Sequence, residues 1–239
     1  MRSLRVFAAL PFIALCIAAC GGTGAPVTDT SKSASMHAVD GLVATSHGAL
    51  AVYASIDAAS PSSTLPDKTF FGSPTTVSVL EWQGANGSWL HVSLPTRPNG
   101  STGFVRASDV TLSRFDHRVD VDINARRLRV GDATGAIVLD TPVAVGSMEN
   151  PTPMGSFFVT DVIDTTDDGG AYGPFAIGLS AHSDTLNEFA GGYGEIGIHG
   201  TNDPYSIGNP VSHGCVRVPN DVVVQLAQIL APGTPVTIH

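Results

Sequence analysis

The chain of 239 residues sets 12 Lys and Arg against 21 Asp and Glu, a formal net charge of −9. Binding nucleic acid needs a basic face, so no nucleic-acid partner is expected. Only 14% of residues are charged, and 26 Gly and 16 Pro interrupt short apolar runs, which points to a mainly β, turn-rich chain long enough for two modest domains.

Residues 1–19 read as an export signal. Arg2 and Arg5 precede an apolar run that is too short, and too interrupted by Pro11, to be a membrane span. Ile17-Ala18-Ala19-Cys20-Gly21 resembles the bacterial lipoprotein processing box, in which the Cys becomes the lipidated N-terminus. The resemblance implies an exported protein anchored by lipid on Cys20 to the outer face of the cell membrane, facing the cell wall. The plainer alternative is a cleaved signal with an incidental Cys. With Cys16 removed and Cys20 acylated, Cys215 is the remaining thiol of the three cysteines. A single Cys in an oxidising compartment has no intramolecular disulfide partner and is a candidate reactive group. Residues 20–38 are rich in Gly, Thr, Ser and Ala without apolar periodicity, the composition of a flexible tether.

Residues 39–113 hold β-type runs at Ala49 to Tyr53, Thr76 to Leu80, Trp89 to Val92 and Gly103 to Val105, and Asn86-Gly87 is a strong tight-turn signal. The stretch from Gly87 through Pro95, then Asn99 to Arg106 and Ser108-Asp109-Val110, resembles the closing half of bacterial SH3-like modules. That resemblance implies a small β-barrel, either a binder of wall peptides or a spacer, which folds by itself and leaves the chemistry to the rest of the chain. His37, His47 and His91 show no metal-ligand spacing.

A hairpin opens residues 117–239, with Val119 to Ile123 and Leu128 to Val130 flanking Asn124-Ala125-Arg126-Arg127. Strand patterns continue at Ala136 to Leu139, Val143 to Val145, Phe157 to Val162, Phe175 to Leu179, Ile196 to Ile198 and Pro235 to Ile238. Asp164 to Gly170 is a polar loop whose Asp167-Asp168 pair lacks the regular spacing of a calcium loop. A short helix is expected at Leu186 to Phe189. The clearest helix has Asn220 as N-cap, Val222, Val223, Leu226, Ile229 and Leu230 as its apolar face, and Pro232-Gly233 as its stop.

The chemistry concentrates in Ile198-His199-Gly200-Thr201-Asn202 and Ser212-His213-Gly214-Cys215-Val216-Arg217. A thiol attacks only as thiolate, so it needs a base within hydrogen-bond reach or a cationic neighbour. His199 and His213 are the candidates, and the glycines beside them allow sharp turns and close approach. The whole run from Ile198 to Arg217 closely resembles the signature of the L,D-transpeptidase (YkuD-type) catalytic family. Asn150-Pro151-Thr152-Pro153-Met154-Gly155 resembles that family's Thr-Pro segment, so the likeness covers roughly Arg118 to His239.

That resemblance implies a β-sandwich-like domain with one helix in its C-terminal region, acting on peptidoglycan stem peptides. Cys215 would be the nucleophile and His199 the base, its second ring nitrogen held by the Gly200 carbonyl. His213, Gly214 and the Cys215 amide would stabilise the oxyanion, and Ser212, Arg217 and Asn202 are the substrate-binding candidates. No metal or cofactor is called for, and a monomer is expected. Alternatives remain on the same residues: a wall carboxypeptidase or cysteine peptidase, a metal hydrolase using His182, His199, His213 and Cys215, or a catalytically silent wall-binding lipoprotein. Papain-like order places Cys before His, whereas here His199 precedes Cys215. The pair His213 and Cys215 at i, i+2 matches no standard zinc spacing.

Overall fold

The computed structural model of the chain describes residues 41–188 and 192–239. The signal segment, Cys20, the tether and His37 lie outside the described residues.

Residues 42–114 form strands β1 (Leu42–Ser46), β2 (Leu50–Val52), β3 (Ser63–Leu65), β4 (Thr76–Gln83), β5 (Trp89–Ser93), β6 (Thr102–Arg106) and β7 (Val110–Arg114). Five of them make an antiparallel sheet in the order β6-β5-β4-β1-β7, while the β2–β3 pair joins β6 through the Tyr53–Phe104 bridge. Alternate residues of the strands point inward, so Ala44, Val77, Val79, Leu90, Val92 and Val105 build one closed core. Asn86 and Gly87 both take left-handed backbone, with φ of 56° and 67°, and turn the chain from β4 into β5.

A second core belongs to β8 (His117–Asp122), β9 (Arg127–Asp132), β10 (Ile137–Pro142), β11 (Val145–Gly146), β12 (Gly155–Asp164), β13 (Phe175–His182), β14 (Glu195–His199), β15 (Pro210–Ser212), β16 (Val216–Arg217), α1 (Asn220–Ile229) and β17 (Pro235–Ile238). Eight strands pair in the order β10-β9-β8-β17-β12-β13-β14-β16, and β11 pairs with β15 in parallel. The described residues are thus mainly β, with α1 as the one α-helix among them.

Helix α1 packs Val223 and Leu226, both fully buried, against β13 and β14. Its start differs from the expectation. Pro219 is the N-cap and Asn220 is already the first helical residue. The Asn220 carboxamide has a stronger demand elsewhere, because its Oδ1 accepts the Thr201 amide at 2.7 Å and ties the helix to the segment after His199. Asp221 still sits in the first turn, where the helix dipole favours a negative charge. Leu186 to Glu188 is not helical; the polypeptide there follows contacts described below, and Phe189 lies outside the described residues.

Candidate active site

Register brings the thiol and the imidazole together. Strands β14 and β16 run parallel with Ile198 opposite Val216 and His199 opposite Arg217. Side chains alternate across a sheet, so Ile198 and Val216 enter the core, both fully buried, while Cys215, Arg217 and His199 share the other face. The pairing places Gly197 beside Cys215, and the Gly197 amide donates to Cys215 Sγ at 3.4 Å. The Val218 amide donates to the His199 carbonyl at 2.9 Å and continues the ladder.

The turn before Cys215 is built from its own side chains. Ser212 Oγ donates to the Cys215 carbonyl at 2.6 Å and accepts the Gly214 amide at 3.1 Å. The hydroxyl of Ser212 is therefore committed within the turn, and so is the Gly214 N–H. Gly214 has φ of 120°, and a Cβ there would lie 2.9 Å from Ile196 Cδ1, so both backbone and space call for glycine. Thr152, buried, is a strut between two segments. Its Oγ1 accepts the Gly146 amide at 2.8 Å and donates to the Gly214 carbonyl at 2.8 Å.

His199 is held from below. Its Nδ1 lies 2.6 Å from the Gly200 carbonyl oxygen; a carbonyl only accepts, so the proton sits on Nδ1 and Nε2 keeps its lone pair. Gly200 is required because a Cβ would meet Asn220 Oδ1 at 2.4 Å. The Tyr172 ring packs against the imidazole, with centroids 4.8 Å apart at 61°.

Burial sets the protonation states. His199 is 5% exposed, and desolvation drives its pKa from the ordinary 6.5 to about 4, with the Gly200 bond opposing and the Arg217 charge assisting. Burial likewise pushes the Cys215 thiol up, against the pull of the Gly197 amide and Arg217. At neutral pH the resting pair is therefore a thiol and a neutral imidazole rather than an ion pair.

The depressed His199 value carries a stability prediction. Above pH 6.5 the imidazole is neutral folded and unfolded, and it contributes no pH dependence. Between 6.5 and about 4 the unfolded chain binds a proton that the folded chain refuses, so stability is lost as pH falls through that window. Lowering pH from 7 to 4.5 is expected to remove about 2 to 3 kcal/mol through this group. Burial shifts His182 in the same direction. Urea unfolding of the wild type and of His199→Asn at both pH values reads the effect; an equal pH-dependent loss in the two proteins would sink it.

Cys215, His199, His213 and Arg217 open onto one cavity of about 250 Å³, together with Tyr172 and Glu195. Arg217 forms no ion pair with a described carboxylate, and its Nε is buried without a hydrogen-bond partner. His213 is exposed at the rim. Asn202 is not brought to this cavity; it is exposed and borders a separate hollow with Asp168 and Pro204. Among the described residues no group of three or more His, Cys, Asp or Glu converges as a metal site. Tyr172, Glu195, Ser183 and Leu186, which also border the thiol cavity, have no motif around them. The one local hint is the glycine after Tyr172, Gly173, with φ of 63°.

Residues 116–238 match the family described as YkuD, the L,D-transpeptidase catalytic domain. A protein named "Putative L,D-transpeptidase YkuD" in Bacillus licheniformis is 36% identical over 122 residues, which are 51% of this chain and 65% of that protein. The protein of the same name in Bacillus subtilis is 34% identical over 123 residues, 52% of this chain and 66% of that one. The chain spans slightly less than two-thirds of the length of these curated relatives. Among solved structures, an L,D-transpeptidase from Mycobacterium smegmatis is similar over 68% of this chain and 99% of that one, at 16% identity and a TM-score of 0.40. Bdellovibrio bacteriovorus Bd1075 is 27% identical over 52% of this chain and 48% of that one, with a TM-score of 0.42.

Proposed function

Because this chain belongs to the YkuD family of L,D-transpeptidase catalytic domains, which act on peptidoglycan stem peptides, we propose that it cross-links stem peptides through a Cys215 thioester. The observation that carries the reading is the shared face of His199 and Cys215, with His199 Nδ1 fixed on the Gly200 carbonyl. His199 Nε2 takes the Cys215 proton as sulfur bonds to the carbonyl carbon of the third stem residue. The C–N bond to the terminal D-alanine then breaks, and the proton passes from His199 to the leaving amine. The side-chain amine of a second stem attacks the thioester, transfers its proton to His199 and frees the thiolate, which regains it. Splitting one amide exchange into two easier steps is what a thiol nucleophile supplies.

Since the Gly214 amide serves Ser212, the donors proposed for the oxyanion are the Cys215 amide and the His213 segment. Such donors are worth about two to three powers of ten each. Arg217, whose guanidinium pairs with no carboxylate among the described residues, suits a substrate carboxylate in a geometry Lys would not reproduce. Incubation with a disaccharide tetrapeptide tests the reading by intact mass. Loss of D-alanine with a cross-linked dimer is expected; a trimmed tripeptide alone would make the protein a carboxypeptidase, and an unchanged substrate would point to a silent wall-binding protein.

The same reading places the protein outside the cell membrane, held through lipid on Cys20, with residues 39–113 as an SH3-like module at the wall. Cys20→Ala should move the protein from the membrane to the soluble fraction, because a lipid-modified terminus then no longer forms. Retention of that variant in membranes would count against the anchor.

A further inference from the structure

The hairpin loop between β5 and β6 reaches across to the thiol domain. Arg97 there donates from Nη1 to the Ser183 carbonyl at 2.6 Å, and from Nη2 to the carbonyls of Leu186 at 2.8 Å and Tyr193 at 3.1 Å. Asn99 Nδ2 donates to the His182 carbonyl at 2.7 Å, and its Oδ1 accepts the His182 amide at 2.9 Å. The reason these backbone groups are available lies in the sheet. The β12–β13 pairing ends at Val159 opposite Leu179, so β13 runs on past its β12 neighbour to His182, which still faces Glu195 of β14. Its polar groups then need other partners. Asn99 supplies the neighbour that β12 does not give His182, while the Ser183 amide continues the β14 side of the ladder on the Gly194 carbonyl at 2.8 Å. A Cβ on Gly194 would come within 2.9 Å of Arg97 Nη2 and 2.2 Å of the Leu186 oxygen, so glycine there is what admits the guanidinium.

Ser183 and Leu186, whose carbonyls Arg97 holds, border the Cys215 cavity together with Gly194 and Glu195. We propose that Arg97 and Asn99 are positioning residues of the active site, and that the N-terminal sheet is thereby a structural part of the cleft rather than a detachable spacer. Arg97 acts through the wall residues it holds, Ser183, Leu186 and Tyr193. Its planar fork holds the Ser183 carbonyl through one nitrogen and the Leu186 and Tyr193 carbonyls through the other, a two-nitrogen geometry that an ammonium does not reproduce. The loop carrying it is braced from within, since the Leu94 amide bonds the Ser101 carbonyl at 2.9 Å and Ser101 Oγ bonds the Pro98 carbonyl at 2.7 Å.

The inference rests on the thiol-site reading, so its test uses measurements that need no peptide alongside one that does. Arg97→Ala, Asn99→Ala and Arg97→Lys are made in the full chain. Amide hydrogen exchange at residues 183–188 and 192–196 is expected to quicken by about tenfold or more in the two Ala variants, as local opening becomes cheaper while the sheet cores stay protected. KM for a tetrapeptide should rise by about tenfold with a smaller change in kcat. The pH profile of Cys215 acylation should not move, because the His199–Cys215 pair is untouched. Arg97→Lys should fall between Arg97→Ala and the wild type. Unchanged exchange in that wall, or unchanged KM, in either Ala variant overturns the proposal; so does loss of protection spread evenly over the whole chain in all three, which would mean a merely structural role. Altered exchange in a protein that does not turn over peptide would leave the positioning role standing and sink the transpeptidase reading instead.

Discussion

Cys215→Ala is expected to abolish both the thioester mass adduct with a tetrapeptide and the release of its terminal residue, and His199→Ala to slow acylation by about 10²- to 10⁴-fold. The thiol is held protonated by burial, so it has little intrinsic thiolate at neutral pH and depends on a base at the moment of attack. The proposed base is His199, whose value near 4 keeps it unprotonated over the whole neutral range. The acid limb of the acylation rate should therefore lie near pH 4 and the rate should hold between about pH 5 and 8. A limb centred near 6.5 would instead report a base with an ordinary imidazole value. His213→Ala should leave slower acylation with the same acid limb; if that variant removes the limb and His199→Ala keeps it, the two roles are exchanged.

Thr152→Val should be the most damaging substitution outside the reacting pair. Valine keeps the volume, yet it strands the Gly146 amide and the Gly214 carbonyl, which Thr152 Oγ1 satisfies together inside the protein. Leaving one buried and one half-buried backbone group unpaired costs about 2 kcal/mol. The loss also frees the peptide that aims the Cys215 amide, so acylation should slow by about tenfold or more even where the protein is folded. Urea unfolding and acylation by a tetrapeptide measure the two effects, and Thr152→Ser, which keeps the hydroxyl, should recover most of both. A Val variant within 1 kcal/mol of wild type that acylates at the full rate would remove Thr152 from the site.

Much of the fold was legible because its signals are local. Alternation in Val119 to Val121 and Leu128 to Val130 marks strands whose inward residues are fully or almost fully buried. Asn86-Gly87 announces a turn because few other pairs tolerate left-handed backbone twice in succession. The pattern is fainter in β1, β3 and β7, whose Thr, Ser and Arg residues alternate poorly with short apolar ones. Asn220 shows where a local rule yields. A side chain with cap chemistry went to the Thr201 amide because the fold set an unsatisfied donor beside it, and Pro219 took the cap position.

The sequence by itself determined the candidate reacting groups, since thiol, imidazole and adjacent glycines lie within one short segment and its upstream partner. It could not determine which imidazole serves the thiol. His213 is nearer in sequence, but parallel pairing of β14 with β16 puts His199 on the Cys215 face, and register is a property of two strands rather than of either. Asn202, close to His199 in sequence, ends in a different hollow for the same kind of reason. The low pKa of His199, the Thr152 strut and the reach of Arg97 across to Ser183, Leu186 and Tyr193 were decided only by the tertiary structure. Each depends on burial or on partners far away along the chain, from Thr152 to Gly214 and from Arg97 to Tyr193. No local pattern encodes a desolvation cost or a hydrogen bond that forms only once two separate sheets have packed.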